Sequence, residues 1–241
     1  MFKKLSLELG GKNAAIVFPD CNFDSCIATI IRSSFSNQGE ICLCSSRIFI
    51  HVDLFDKFVN SLVHFTEKLI VGDPTHPDTD IGAIVSSQHL SKISGFVDLA
   101  RKLGGTILTG GKQLKINVDG SSNGFFYAPT IISGLNNSSP LNQQEIFGPV
   151  VTVMPFTSID EVVGYANDTV YGLSASVWTE NERIARQVAN RLDVGTCWIN
   201  CWMVRDLNMP FGGVKDSGVG REGGRYSREF FTEEKVICIA N

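Results

Sequence analysis

Residues 36–47 read SerAsnGlnGlyGluIleCysLeuCysSerSerArg, and they join an apolar run of helical spacing to an alternating segment, ArgIlePheIleHisVal (47–52). The run before them has apolar residues at 23, 26, 27, 30 and 31, one face of a helix. Further upstream, AsnAlaAlaIleValPhe (13–18) reads as a buried strand after which Pro19-Asp20 turns the chain. Residues 13–52 are thus expected to form a strand–helix–strand unit, whose two strands lie parallel because a helix makes the crossover. Cys42 and Cys44 fall on the turn that closes it, and turns after regular elements are where reactive groups are often presented.

The same alternation continues outward. Asp53 is expected to cap a helix with Leu54, Phe55, Phe58, Val59, Leu62 and Leu69 on one face. Ser86 or Ser87 opens another through Ala100, which ends at Gly104-Gly105. Ser158 with Glu161 and Thr179 with Glu182 have capping-box spacing. Strands are expected at 150–156, 173–178, 196–200 and 236–240. The result is an α/β fold, a mostly parallel sheet flanked by helices, in one domain. Residues 112–124 read as a polar surface loop and 212–224 as a Gly-rich one.

Composition narrows the function. The chain has 241 residues, 43% hydrophobic and 19% charged, with a net charge of −4 and no Lys/Arg run, which argues against a nucleic-acid partner. It has no apolar stretch near the roughly 20 residues of a membrane helix, and MetPheLysLysLeuSerLeuGlu lacks the apolar core of a signal peptide. No membrane association is expected.

Seven cysteines, at 21, 26, 42, 44, 197, 201 and 238, are an odd, scattered set in a chain too long to need staples. They imply a reducing compartment, hence a cytoplasmic location, rather than a disulfide framework. No metal site is expected: Cys42-Leu-Cys44 lacks zinc spacing, and the histidines at 51, 64, 76 and 89 have no cysteine at ligand spacing. A papain-like peptidase would need a histidine well downstream, and none follows His89. Gly218-Val-Gly220-Arg-Glu-Gly223 fits the dinucleotide pattern, but no buried strand precedes it and only 18 residues follow. The residues by themselves leave Cys42 as either a nucleophile or ordinary packing, and Glu8, beside Gly10-Gly11, as either a surface carboxylate or a base.

Four segments, taken together, resemble aldehyde dehydrogenases in order and spacing: LeuGluLeuGlyGlyLysAsn (7–13), AsnGlnGlyGluIleCys (37–42), GluIlePheGlyProVal (145–150) and ProPheGlyGlyValLysAspSerGlyValGlyArgGlu (210–222). The resemblance covers essentially the whole chain and corresponds to the C-terminal, catalytic-domain half of that family, most of the cofactor domain lying upstream. It implies residues 1–9 as the end of the dinucleotide-binding domain, 10–231 as the catalytic domain, and 232–241 as a C-terminal strand or arm. It further implies that Cys42 attacks an aldehyde to give a thiohemiacetal and, after hydride passes to NAD, a thioester. Glu8 would activate the hydrolytic water. Glu145 would hold the nicotinamide ribose with Phe147 beside it, while Leu9 and Gly10 approach the nicotinamide. Phe211 would line the substrate site.

Within the family, residues 37–47 and 200–213 are most similar to members whose small-molecule aldehyde also carries a carboxylate. Arg205 could clamp that carboxylate, or it could instead pair with Asp206 or Glu222. The resemblance also implies a homo-oligomer for the full-length protein. Cys42 is expected to be the most reactive thiol. The chain by itself is expected to be an inactive fragment of such an enzyme or, alternatively, a non-enzymatic partner of full-length subunits.

Overall fold

The computed structural model describes residues 2–118 and 124–240. Seven strands make the central sheet: β1 (Asn13–Val17), β2 (Ser45–His51), β3 (Thr106–Thr109), β4 (Thr130–Ser133), β5 (Val150–Phe156), β6 (Ser174–Trp178) and β7 (Thr196–Ile199). Their order is β7-β6-β1-β2-β5-β4-β3, and every pairing is parallel except that of β3 with β4. All five residues of β1 are buried. Burial on both faces is what an unbroken apolar strand in a helix-covered parallel sheet requires.

The period of two sorts the sheet residues between two cores. Ala15, Val17, Ile48, Ile50, Val151 and Val153 face α1 (Phe23–Phe35) and α2 (Phe55–Thr66), which contribute Cys26, Ile27, Ile30, Phe58 and Leu62. Ala14, Ile16, Phe49, Met154 and Val177 form the other core. It is completed by Val162, Val163 and Ala166 of α5 (Ile159–Asn167) and Val188 of α6 (Glu182–Ala189). Between β4 and β5 the chain includes the single turn α4 (Pro140–Gln143). A third cluster seats α3 (Ser87–Lys102) against β4 and β5 through Leu90, Ile93, Val97 and Ala100.

Helix starts follow local hydrogen bonding. The side chains of Asn22, Ser86 and Ser158 accept from the main-chain N–H groups of Ser25, His89 and Glu161, as N-caps do. Three expectations are corrected. α2 starts after Leu54 with no side-chain cap, so Asp53 does not cap it. Asn181, not Thr179, caps α6, because the Thr179 hydroxyl is committed to the Asp20 carboxylate at 2.7 Å. Residues 236–240 are not a strand: Val236, Ile237 and Ile239 are exposed and carry no ladder. Their strand-like alternation pairs with no strand among the described residues, and α7 (Gly224–Phe231) precedes them. Lys4 ties the start of the arm down, donating to the carbonyls of Glu229 and Thr232.

The two expected loops hold short ladders. Gln113–Leu114 pairs with Phe126–Tyr127, while residues 119–123 of that loop lie outside the described residues. Within the Gly-rich segment, Val214–Lys215 pairs with Tyr171–Gly172, and Gly218–Val219 pairs with Leu7–Glu8. Residues 7–8 are therefore built onto the body of the chain.

Candidate active site

α1 ends at Phe35 and the chain then turns through Asn37 and Gln38, both in the left-handed region at φ 50° and 48°. Gly39 follows at φ 73°, and a Cβ there would collide with the carbonyl of Gly148. This turn sets Cys42 beside a cavity of ≈20 Å³, room for about one water, lined by Gly11, Gly39, Cys42, Glu145, Phe147 and Gly148 among others. Asn13, buried at the start of β1, braces the turn. Its Nδ2 donates to the carbonyls of Cys42 (2.7 Å) and Cys44 (2.9 Å), and its Oδ1 accepts from the Ser174 N–H (3.1 Å). A Cβ at Gly11 would meet both Asn13 Oδ1 and the Cys42 carbonyl. The glycine pair thus lets two segments touch through their main chains.

Burial pushes the Cys42 thiol up, and the nearby Glu8 and Glu145 carboxylates add repulsion in the same direction. Cys21 is moved the other way, chiefly through the neighbouring Cys26 thiol. The expectation that Cys42 is the most reactive thiol therefore rests on its place at the turn and not on a lowered pKa. Cys44 is buried and pushed up to about 12, also chiefly by burial.

Glu8 sits on the exposed two-residue strand that pairs with Gly218–Val219. The register depends on Gly218 (φ 151°), where a Cβ would strike the Leu7 carbonyl, and on the buried Ser217. Ser217 accepts from the Leu9 N–H through its carbonyl and donates its hydroxyl to the Gly10 carbonyl at 2.7 Å. Asn13 and Ser217 are contributions that reading the sequence missed. A strand-start asparagine and a loop serine carry no local signal of partners 29 to 207 positions away. The Gly-rich segment, expected to be a surface loop, is the hydrogen-bonded support of Glu8. Partial burial first and Glu222 second raise the Glu8 carboxyl, with Arg221 and Arg205 opposing.

Glu145 lies against Gly10, where a Cβ would overlap its carboxylate, and one of its oxygens accepts from the Gly11 N–H at 2.9 Å. Phe147 follows at φ 60°. Phe211 is buried with Leu43, Leu173, Trp198 and Trp202, and Cys42 packs on this cluster. The Arg205 guanidinium lies 4.3 Å from the Phe211 ring centroid and 3.5 Å from Glu222, beside a surface cavity of ≈250 Å³. Of the two pairings open to it, Arg205 thus makes the one with Glu222. Cys42, Glu8, Glu145 and Phe211 are brought around one region, with Arg205 on its outer side.

Comparisons with known proteins agree on the lineage. The model of the aldehyde dehydrogenase family matches residues 1–237. The chain is 49% identical over 238 residues to a 2-aminomuconic semialdehyde dehydrogenase of Danio rerio, covering 98% of this chain and 49% of the relative. It is 42% identical over 237 residues to a 2-hydroxymuconic semialdehyde dehydrogenase of Pseudomonas sp. (strain CF600), with coverage of 98% and 49%. The chain therefore spans about half the length of the curated relatives it matches. Among solved structures, HpcC from Thermus thermophilus superimposes with a TM-score of 0.92 at 38% identity, over 96% of this chain and 45% of that one. Betaine aldehyde dehydrogenase from Staphylococcus aureus in complex with NAD+ gives 0.89 at 37%, over 93% and 44%. The α/β architecture is that of the family's catalytic domain, and this chain belongs to the aldehyde dehydrogenase family.

Proposed function

We propose that the chain is the catalytic-domain half of an NAD-dependent aldehyde dehydrogenase acting on a carboxylate-bearing semialdehyde such as 2-aminomuconic semialdehyde. The observation that carries this reading is that Gly10-Gly11, two residues after Glu8, meets both the Glu145 carboxylate and the Cys42 main chain, which gathers the three side chains at one place. Residues 10–231 would form the catalytic domain, residues 1–9 the end of the dinucleotide-binding one, and 232–240 an arm.

The residues present fit the nicotinamide end of a dinucleotide. Glu145 spends one oxygen on Gly11 N–H and leaves the other beside Gly10, whose missing Cβ keeps that approach open. Glu145 would hold ribose hydroxyls there, Phe147 would pack beside them, and Leu9 and Gly10 would present main chain. NAD, when bound, supplies the hydride acceptor.

The chain's own groups do the rest. Cys42 must lose its proton before it can attack, and its raised pKa makes a nearby base necessary. Glu8, itself raised, suits the exchange of protons with the thiol and with water. Cys42 Sγ bonds to the aldehyde carbon. At the thioester stage Glu8 takes a proton from water, whose oxygen attacks the acyl carbon. The C–S bond then breaks, releasing the carboxylic acid and the thiolate. Arg205 and Phe211 would receive the far end of the substrate, the guanidinium exchanging Glu222 for the substrate carboxylate.

The test is to titrate NAD(H) into the protein while following its fluorescence, and to assay semialdehyde oxidation with and without Cys42→Ala. Oxidation that survives the loss of Cys42 would overturn the reading. Assayed alone, the 241-residue polypeptide is expected to turn over little, since the contacts named here reach only the nicotinamide end and positioning is worth about 7–11 kcal/mol of barrier. We further propose a small-molecule aldehyde as its substrate partner, self-association of the longer enzyme and a cytoplasmic location. No described helix is long and apolar enough to cross a membrane.

A further inference from the structure

The turn that carries Cys42 and the turn that carries Phe147 touch through their main chains. Gly39 leaves no room for a Cβ against Gly148, and Gly148 leaves none against Ile93 of α3. Both turns hold non-glycine residues in the left-handed region, Asn37 and Gln38 in one and Phe147 in the other. Such a conformation persists only where surrounding structure holds it.

His89, in the first turn of α3, occupies the junction. Its Nε2 lies 2.5 Å from the Phe147 carbonyl. A carbonyl only accepts, so Nε2 carries the proton and donates. The same nitrogen is 3.6 Å from Oε1 of Glu40, a carboxylate whose side chain is 6% exposed. That distance is too long for a hydrogen bond but close for attraction between a polarised N–H and an anion. Glu40 is held in turn by Gln38 Nε2 (2.9 Å) and by the Val85 N–H (3.2 Å). The His89 ring also meets the Phe147 ring edge-on at 6.1 Å. The imidazole is 16% exposed, and Ser86 caps its helix by accepting from the His89 N–H.

We propose that His89 is a positioning residue that locks the Phe147 turn to the Cys42 turn, bridging the Phe147 carbonyl to the Glu40 carboxylate. The role of this lock rests on the dehydrogenase reading, in which one turn holds the cofactor and the other the nucleophile. A lock of this kind sets both at a fixed separation before any ligand arrives. It also gives the buried Glu40, two residues before the nucleophile, a task that solvation would not explain.

The test compares wild type, His89→Ala and His89→Gln in the 241-residue chain, by amide hydrogen exchange resolved to peptides and by the rate at which iodoacetamide alkylates Cys42. In His89→Ala, exchange in 36–42 and 145–149 should quicken together and Cys42 should alkylate about three- to tenfold faster, the size expected when one hydrogen bond holding a turn is lost. His89→Gln keeps an N–H donor and should restore most of both. Exchange that changes only within α3, or in one turn without the other, would overturn the proposal, as would an equal defect in the Gln variant. The exchange readout is independent of catalysis. Aldehyde oxidation that survives Cys42→Ala would end the dehydrogenase reading while the lock is still decided.

Discussion

Around Cys42 the main chain is braced from three sides, whereas around Arg205 it is open. The first turn has Asn13 beneath it, Gly148 packed against it and Glu40 tied behind it. The second region holds its guanidinium by one 3.5 Å ion pair and an aromatic face, beside a cavity more than ten times larger in volume (≈250 against ≈20 Å³). Exposed ion pairs of this sort contribute little, with a typical value of about 0–1 kcal/mol. In the proposed function the difference separates two tasks. Chemistry demands a fixed nucleophile, while recognition of a charged substrate demands a cation that can change partners.

The sharpest way to break the comparison is at Glu8. Glu8→Gln should lower Cys42-dependent acyl transfer, read as p-nitrophenyl acetate hydrolysis or as aldehyde turnover, by about 10²–10⁴. The same change removes a carboxylate that raises the thiol, so the alkylation-versus-pH curve of Cys42 should move to lower pH. A more acidic thiol with slower turnover identifies a base. If both remain as in wild type, Glu8 is a surface residue.

Lys12 tests how completely the braced side is closed. It is wholly buried, its Nζ has no hydrogen-bond partner among the described residues, and burial with Arg47 nearby lowers it to about 7. Between about 7 and the ordinary value of 10.5 the unfolded chain holds a proton that the folded chain lacks. Wild-type stability should therefore rise with pH across that window. At about 1.4 kcal/mol per pH unit the penalty near neutrality is on the order of 4–5 kcal/mol. Lys12→Met, which keeps the length and volume, should remove the slope and recover much of that amount in urea unfolding at about pH 6.5, and little at about pH 10. A flat wild-type profile would show that the amine stays charged in the fold.

The contrast between these regions also explains what the sequence disclosed. Five of the seven sheet strands and α1, α2, α3, α5 and α6 were legible because burial imposes a period on local residues: Ala15 and Val17 face one core, Ala14 and Ile16 the other, whereas β3, β4 and the order of strands across the sheet were not read. The cysteine turn was legible as a turn. Its braces were not, because Asn13, Ser217 and His89 act on segments far away in the chain. The 236–240 segment misled for the complementary reason, since alternation marks a strand only where an edge exists to receive it. Thr179 misled because its hydroxyl found Asp20, 159 positions away, before it could serve the helix next to it.

Asn13→Ala measures the brace itself. It would strand the Cys42 and Cys44 carbonyls and the Ser174 N–H without partners in a buried setting. At about 1–3 kcal/mol for leaving a buried polar group unsatisfied, and with some relaxation of the turn, a loss of roughly 2–3 kcal/mol is expected in denaturant unfolding. Cys42 should alkylate faster in the same variant. Lost stability without altered labelling would place the role of Asn13 in the sheet rather than the turn.

The smallest effect is expected on the open side. Arg205→Ala removes an exposed cation whose one ion pair is long, so folding stability should change by less than about 1 kcal/mol. Its effect should appear instead in the kinetics of the proposed dehydrogenase, as a KM for the carboxylate-bearing semialdehyde raised about tenfold or more. A charge-assisted hydrogen bond is worth about 1.5–3 kcal/mol, and it would form only with that substrate. For propanal, which has no carboxylate, KM should hardly move, and kcat should change little for either. Glu222→Gln sharpens the result: it frees Arg205 from its resting partner and should lower the semialdehyde KM, if the guanidinium does exchange one carboxylate for another. Equal KM increases for both aldehydes in Arg205→Ala would mean that the guanidinium props Phe211 in place and does not read the substrate.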